Sequence, residues 1–186
     1  FGGLLYAATS VSGTSLGPEI WRTADGLDWD RVVEDGFGAA GTVEIFNLHA
    51  EAGVLFAGTL NNEAGGAVWV TGNGVDWGRL SSDGFGDPDN YAVGALAGFG
   101  GKLFAGTWNQ DSGAEIWSHD GFTWTRVVTN GFGNSQNVAV QSLVVFEGRL
   151  YAVTRNFIAG SQVWRTDDGL DWENAAIGGL GNPDNT

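Results

Sequence analysis

Cysteine and methionine are both absent from the 186 residues. The first absence excludes a disulfide framework, a thiol nucleophile and a cysteine metal site, and leaves the redox compartment open. The second, with Phe1 already inside a repeated pattern, makes the chain read as processed, excised or partial rather than as an intact translation product. Positive charge is scarce, with 8 Lys and Arg against 22 Asp and Glu and a formal net charge of −14. Polyphosphate binding relies on clustered Lys and Arg, so no nucleic acid partner is expected, and anionic lipid would be repelled for the same reason. No apolar run approaches the ~18 residues of a membrane-crossing helix, so no membrane insertion is expected. No segment sustains a 3.6-residue apolar period either, which leaves almost no room for helix.

Glycine and tryptophan are in excess. Glycine makes up 32 of 186 residues, over twice its usual ~7% share. The 42% hydrophobic content and nine tryptophans nonetheless exclude the disordered and collagen-like classes. The tryptophans are periodic. Trp21, Trp69, Trp117 and Trp164 follow one another at 48, 48 and 47 residues, and Trp29, Trp77, Trp124 and Trp172 at 48, 47 and 48. Gly36-Phe37-Gly38, Gly84-Phe85-Gly86, Gly131-Phe132-Gly133 and Gly179-Leu180-Gly181 keep the same period. Each repeat holds four short runs rich in Val, Ile, Phe, Trp and Thr and bounded by Gly, Asn and Asp, which read as strands. Runs apolar at consecutive positions, such as Ile116-Trp117, suit strands buried on both faces. A period in the high forties with four strands per repeat predicts an all-β fold, a β-propeller of four-stranded antiparallel blades, because a blade buries its faces only against its neighbours. Residues 1–186 read as a single propeller domain or segment, with repeats at approximately 1–42, 43–90, 91–137 and 138–186.

Between the third and fourth strands the four repeats read Thr23-Ala24-Asp25-Gly26-Leu27-Asp28-Trp29, Thr71-Gly72-Asn73-Gly74-Val75-Asp76-Trp77, Ser118-His119-Asp120-Gly121-Phe122-Thr123-Trp124 and Thr166-Asp167-Asp168-Gly169-Leu170-Asp171-Trp172. This resembles the Asp-box, or bacterial neuraminidase repeat (BNR), of many β-propellers: Ser/Thr, any residue, Asp, any residue, Gly, two more, then Trp. Here Asp or Asn stands directly before Gly, so the turn is one residue shorter in all four repeats. Asp25, Asn73, Asp120 and Asp168 are expected to accept backbone N–H bonds across a tight turn, with glycine supplying a positive φ and Trp29, Trp77, Trp124 and Trp172 packing beneath. The resemblance implies that these turns are structural and lie away from the active face.

The register fixes where the blades start. Phe1 aligns with Phe99 and Phe146, which close the first strand of the third and fourth repeats, so the first blade lacks most of its innermost strand. First strands are expected only near 43–50, 91–98 and 138–145. An open blade edge carries unpaired backbone groups. That edge suits a segment of a longer propeller, self-association through the open edge, or a ring that tolerates an incomplete blade.

In a propeller the loops from second to third strand, near 10–18, 60–66, 108–113 and 155–161, share a face with the inter-blade loops near 34–42, 81–90, 129–137 and 178–186. Thr59-Leu60-Asn61, Thr107-Trp108-Asn109 and Thr154-Arg155-Asn156 keep their ends and vary their middle residue. Asn61, Trp108, Asn109, Arg155 and Asn156 are therefore the candidate ligand-binding residues, with Trp108 suited to stacking on a sugar and Arg155 to pairing with a carboxylate. Against this stands the reading in which Trp108 covers a neighbouring blade and Arg155 is solvated. Asp87, Asp89, Asn90 and Asp184 offer oxygen ligands for Ca2+ beside tight turns, but without EF-hand spacing, and Asp-Pro and Asn-Pro also start turns with no metal.

The resembled family includes sialidases and other glycoside hydrolases. Sialidases bring three arginines to the substrate carboxylate, use a Tyr/Glu pair with an acid, and carry Arg-Ile-Pro. Arg-Ile-Pro is absent, Arg31, Arg79 and Arg126 recur as a repeat feature, and His49 and His119 have no repeated partner. No catalytic residue is assigned. The leading expectation is a non-catalytic binding or adhesion module, extracellular or at the cell surface, presenting its loops to a glycan or protein ligand with no cofactor required. The alternatives are a sialidase-like glycoside hydrolase whose catalytic residues lie partly outside this segment, and structural blades of a larger assembly.

Overall fold

The computed structural model describes residues 1–12, 16–176 and 178–186. Among them the chain is almost entirely strand and turn. The strands form consecutive antiparallel meanders: β1 (Leu5–Ala8), β2 (Ile20–Thr23) and β3 (Asp30–Val33), then β4 (Thr42–Glu51), β5 (Val54–Asn61), β6 (Val68–Thr71) and β7 (Gly78–Arg79). The third meander is β8 (Ala92–Phe99), β9 (Lys102–Trp108), β10 (Ile116–His119) and β11 (Trp124–Val128). The fourth is β12 (Ala139–Phe146), β13 (Arg149–Arg155), β14 (Val163–Thr166) and β15 (Glu173–Ala176). β4 contains the expected first strand at 43–50, and β8 and β12 lie one residue later than the expected 91–98 and 138–145.

The chain divides into two compact units, Phe1–Val93 and Gly94–Thr186. In the first, Ile20 and Val33 of one meander pack with Ile45 and Ala57 of the next, and Phe37, Trp69 and Trp77 close over them. In the second, Phe104, Ile116 and Val128 pack with Val140, Leu143 and Leu150. Small residues allow this face-to-face approach. A Cβ on Gly58 would lie 2.5 Å from the Val93 carbonyl oxygen, and one on Gly106 2.5 Å from Val140 Cγ1. Burial is continuous along much of β9, where Leu103 to Thr107 are all buried, as expected of a strand covered on both faces.

Among the described residues helical turns are confined to the Gly-x-Gly segments, and these are left-handed. Asp35, Gly36, Phe37 and Gly38 have φ of 51°, 58°, 64° and 70°, and Asn130 to Gly133 repeat the pattern at 50°, 55°, 62° and 85°. Left-handed backbone costs an L-residue roughly 1–2 kcal/mol, so the phenylalanine needs compensation. It obtains this from the next meander: Phe37 stacks on Trp69 at 4.4 Å and meets Trp77 edge-on, and Phe132 stacks on Trp164 at 4.5 Å and meets Trp172 edge-on. Such pairs contribute about 0.5–1.5 kcal/mol beyond area burial.

Candidate functional site

Each meander brings its second-to-third-strand loop against the Gly-x-Gly turn that follows it. Gly36 N–H donates to Pro18 O, Gly84 to Gly66 O, Gly131 to Ala114 O and Gly179 to Ser161 O, at 2.7–2.9 Å. In return Gly66, Ala114 and Ser161 N–H donate to Asn90, Asn137 and Asn185 O. Both loop types therefore sit at one end of their own meander, with the Asp-box-like turns at the other.

At that other end the turns are tied by side chains. The Asp25 carboxylate accepts from Leu27 and Asp28 N–H at 2.8 and 3.0 Å, and Thr23 Oγ1 accepts from Gly26 N–H at 2.9 Å. Thr71 with Asn73, and Thr166 with Asp168, repeat these bonds. In the third repeat Asp120 holds Phe122 and Thr123, while His119 Nδ1 takes the threonine's place by accepting from Gly121 N–H at 3.1 Å. Burial lowers the His119 pKa, which favours this neutral, accepting form, against an opposing pull from Asp120.

Backbone N–H donors, those of Leu27, Thr123 and Leu170 foremost, hold Asp25, Asp120 and Asp168 below the usual carboxylate range. Because the folded pKa lies below the unfolded one, this stabilisation is complete above the unfolded value of ~3.9 and is lost as pH falls through the folded pKa. Carboxyl NMR titration should find these three aspartates protonating later than ordinary ones on acidification. Ordinary titration at all three would mean the turn bonds are not made. Asn73 already holds its turn without a charge, so Asp25→Asn should leave the fold intact.

The candidate asparagines are spent on the fold. Asn61, Asn109 and Asn156 are buried, and each accepts two backbone N–H bonds from its own loop, those of Glu63 and Ala64, Asp111 and Ser112, and Ile158 and Ala159. Asn90 is also fully buried, and its amide donates to Gly84 O, as Asn137 donates to Gly131 O and Asn185 to Gly179 O. Asp87 and Asn182 accept from the backbone N–H groups of Asp89 and Asp184, which makes both segments Asx turns. Among the described residues no three His, Asp or Glu come together as a metal cluster. The capping role of Asn90, Asn137 and Asn185 escaped the sequence reading, although their spacing of 47 and 48 residues is the signal the tryptophans carry.

Trp108 and Arg155, by contrast, meet. Trp108 closes β9 beside Ala139, opposite Arg155 at the end of β13, and its indole N–H donates to Val140 O at 3.3 Å. The Arg155 guanidinium lies 5.6 Å from the Trp108 ring and 5.1 Å from the ring of Phe157, a residue the sequence reading had not singled out. Phe157 is 62% exposed and Ile158 70%. The first unit has a different feature at its loop end: a cleft of about 440 Å3 lined by Leu16, Gly17, Ala39, Thr42 and the carboxylates Asp35 and Glu63. Residues 13–15 of the 10–18 loop lie outside the described residues. Asp35 accepts from Gly17 N–H at 2.8 Å, and Gly41 leaves the room that the Glu63 carboxylate occupies.

Arg31, Arg79 and Arg126 do not converge as a carboxylate-binding set within either unit. Each lies over a tryptophan of its own meander, Trp21, Trp69 and Trp117, at 5.6–5.9 Å. Arg31 and Arg126 also pair with Glu19 and Glu115, whose other oxygens accept the indole N–H groups of Trp21 and Trp117. The Arg31 hydrogen bond, then that of Trp21, holds the Glu19 carboxyl below its ordinary pKa.

No protein-family model and no curated protein matches the chain. Solved structures do. A Trypanosoma rangeli sialidase in complex with the inhibitor DANA aligns with a TM-score of 0.63 and 17% identity over 93% of this chain and 36% of that one. The GH43B protein of a Bacteroides ovatus xyloglucan PUL aligns at 0.56 and 14%, over 98% and 41%. CoXyl43, a GH43 β-xylosidase/α-arabinofuranosidase from a compost microbial metagenome in complex with xylotriose, aligns at 0.55 and 8%, over 95% and 74%. The chain thus spans less than half the length of the first two. At such identities only the fold is shared, an all-β antiparallel architecture found in β-propeller glycoside hydrolases.

Proposed function

We propose that the meanders are Asp-box-like blades of a β-propeller and that its loop end binds carbohydrate without transforming it. The observation that carries this reading is the cluster of Trp108, Arg155 and Phe157, in which the half-buried Trp108 and Arg155 at the ends of β9 and β13 meet the exposed Phe157 on a loop pinned by Asn156. Aromatic rings stack on the apolar faces of sugars while a charged group sets orientation. The likeness to a sialidase and to GH43 enzymes supports a carbohydrate ligand. The carboxylates whose acidity is shifted, Glu19, Asp25, Asp120 and Asp168, are all held low, opposite to what a general acid needs.

A glycan array followed by calorimetry tests the reading. Binding is expected and should weaken about tenfold or more in Phe157→Ala, on the scale of a lost stacking contact. Absence of any saccharide binding would overturn it. A hydrolase is the second reading, favoured by Asp35 and Glu63 in one cleft. It predicts turnover of a glycoside panel that Glu63→Gln abolishes.

A further inference from the structure

Arg155 is set apart from the other arginines. Arg31, Arg79, Arg126, Arg149 and Arg165 each pair with a carboxylate, and Arg22 lines a cleft with Asp25, Asp28 and Asp30. Arg155 has no carboxylate within 4.0 Å among the described residues, in a chain with 22 acids. The rings of Trp108 and Phe157 both lie against its guanidinium, and its Nε is buried with no hydrogen-bond partner. Among the described residues no hydrogen bond engages Nη1 or Nη2, and of the guanidinium nitrogens only Nε is a buried atom without a partner, so the outer edge of the fork is the part that can meet a ligand. Two parallel N–H donors at fixed spacing match a carboxylate. The clamp is preorganised: Asn156 accepts from Ile158 and Ala159 N–H just beyond Arg155, and the Asn156 amide is anchored on Asn137 at 2.9 Å.

We propose that the outer edge of Arg155 receives a single carboxylate carried on a saccharide, such as one uronic acid on an otherwise neutral chain. This rests on the carbohydrate reading above and specifies its ligand class. Phe157, with most of its surface exposed, offers the adjoining sugar ring a stacking face. The net charge of −14 argues for one carboxylate rather than a polyuronate, because each further acid adds repulsion that a single guanidinium does not offset.

The test is calorimetry with xylotriose, xylotriose bearing one glucuronic acid, the methyl ester of that acid, trigalacturonate, and an acidic tripeptide. The mono-acid should bind at least about tenfold tighter than xylotriose or its own methyl ester, as hydrogen bonds to a charged group imply. Arg155→Gln should erase that preference and Arg155→Lys should restore part of it, with circular dichroism confirming the fold. The ester comparison needs no variant, so the test survives a variant that fails to fold. Equal binding of acid, ester and xylotriose would overturn the carboxylate site and leave the carbohydrate reading standing. Tightest binding of trigalacturonate would overturn the single-carboxylate claim. No saccharide binding, or binding of the tripeptide alone, would overturn both.

Discussion

Gly113→Ala is expected to destabilise the protein by about 2–4 kcal/mol, combining a left-handed residue given a side chain with a steric clash against backbone. Gly113 has φ +87°, and a Cβ there would lie 2.8 Å from Ser135 Cα and 2.9 Å from Gly131 N. The second-to-third-strand loop cannot then seat against the Gly-x-Gly turn, and the bond from Gly131 N–H to Ala114 O is strained or lost. Gly65 and Gly160 occupy the same place in their repeats, at 2.7 Å from Gly84 Cα and 2.5 Å from Gly179 N. Gly121 is the control. It has φ +100° but nothing within 4 Å of its Cβ position, so Gly121→Ala should cost only the conformational part, about 1 kcal/mol. Denaturant unfolding of both variants makes the comparison. Equal losses would show that the loop and turn do not approach as closely as the structure has them.

Gly113 also marks where sequence reasoning stops. Strand positions were legible because periodic tryptophans and short β-branched runs report burial directly, and the Asp-box-like turns were legible because Asp, Gly and Trp act within seven residues. The glycines at 65, 113 and 160 were visible as repeats, but their partners lie 18 to 22 residues further on, and nothing local says that a Cβ would strike them. The same limit hid the left-handed Phe37 and Phe132. Bulky residues avoid positive φ on their own account, and only the stack on Trp69 or Trp164 in the following meander explains them. Asn90, beside two aspartates, reads locally as an oxygen ligand, and nothing local says that its amide donates inward to Gly84 O. Trp108 and Arg155 were each picked out for varying at a fixed position. Their contact depends on Ala139 of the intervening β12 pairing with Trp108 on one side and Arg155 on the other, and Phe157 enters only through the turn that Asn156 makes.

That turn leads to the other large effect, at Asn137. Asn137 and Asn156 are fully buried. The Asn137 amide donates to Gly131 O at 2.8 Å and to Gln162 Oε1 at 2.9 Å, and its oxygen accepts from the Asn156 amide. Gln162 in turn accepts the Trp164 indole N–H. One side chain therefore ties the Gly-x-Gly turn, the loop carrying Phe157 and the tryptophan under Phe132. Asn137→Ala takes the shorter of two bonds from the Gly131 carbonyl, which keeps that of Asn134 N–H, and leaves the Asn156 amide without a partner; at about 1 kcal/mol for the lost bond and about 1–3 kcal/mol for the stranded amide, the loss should reach about 2–4 kcal/mol. Asn137→Asp separates hydrogen bonding from packing, because it keeps the shape and removes the donors. A carboxylate there faces Gly131 O and Gln162 Oε1, so its folded pKa must rise above the unfolded ~3.9. With a raised folded pKa, the variant is least impaired below the unfolded value and loses stability as pH rises through and beyond it, by about 1.4 kcal/mol per pH unit until the folded pKa is reached. The Asp-box-like aspartates impose the opposite slope, but below the unfolded ~3.9 and equally in parent and variant, so they do not alter the difference between the two above pH ~4. Thermal melts of both proteins between pH 4 and pH 7 should therefore converge toward acid and diverge toward neutrality. Parallel curves would mean that Asn137 does not donate into this network, and the loop that holds Phe157 beside Arg155 would then need another support.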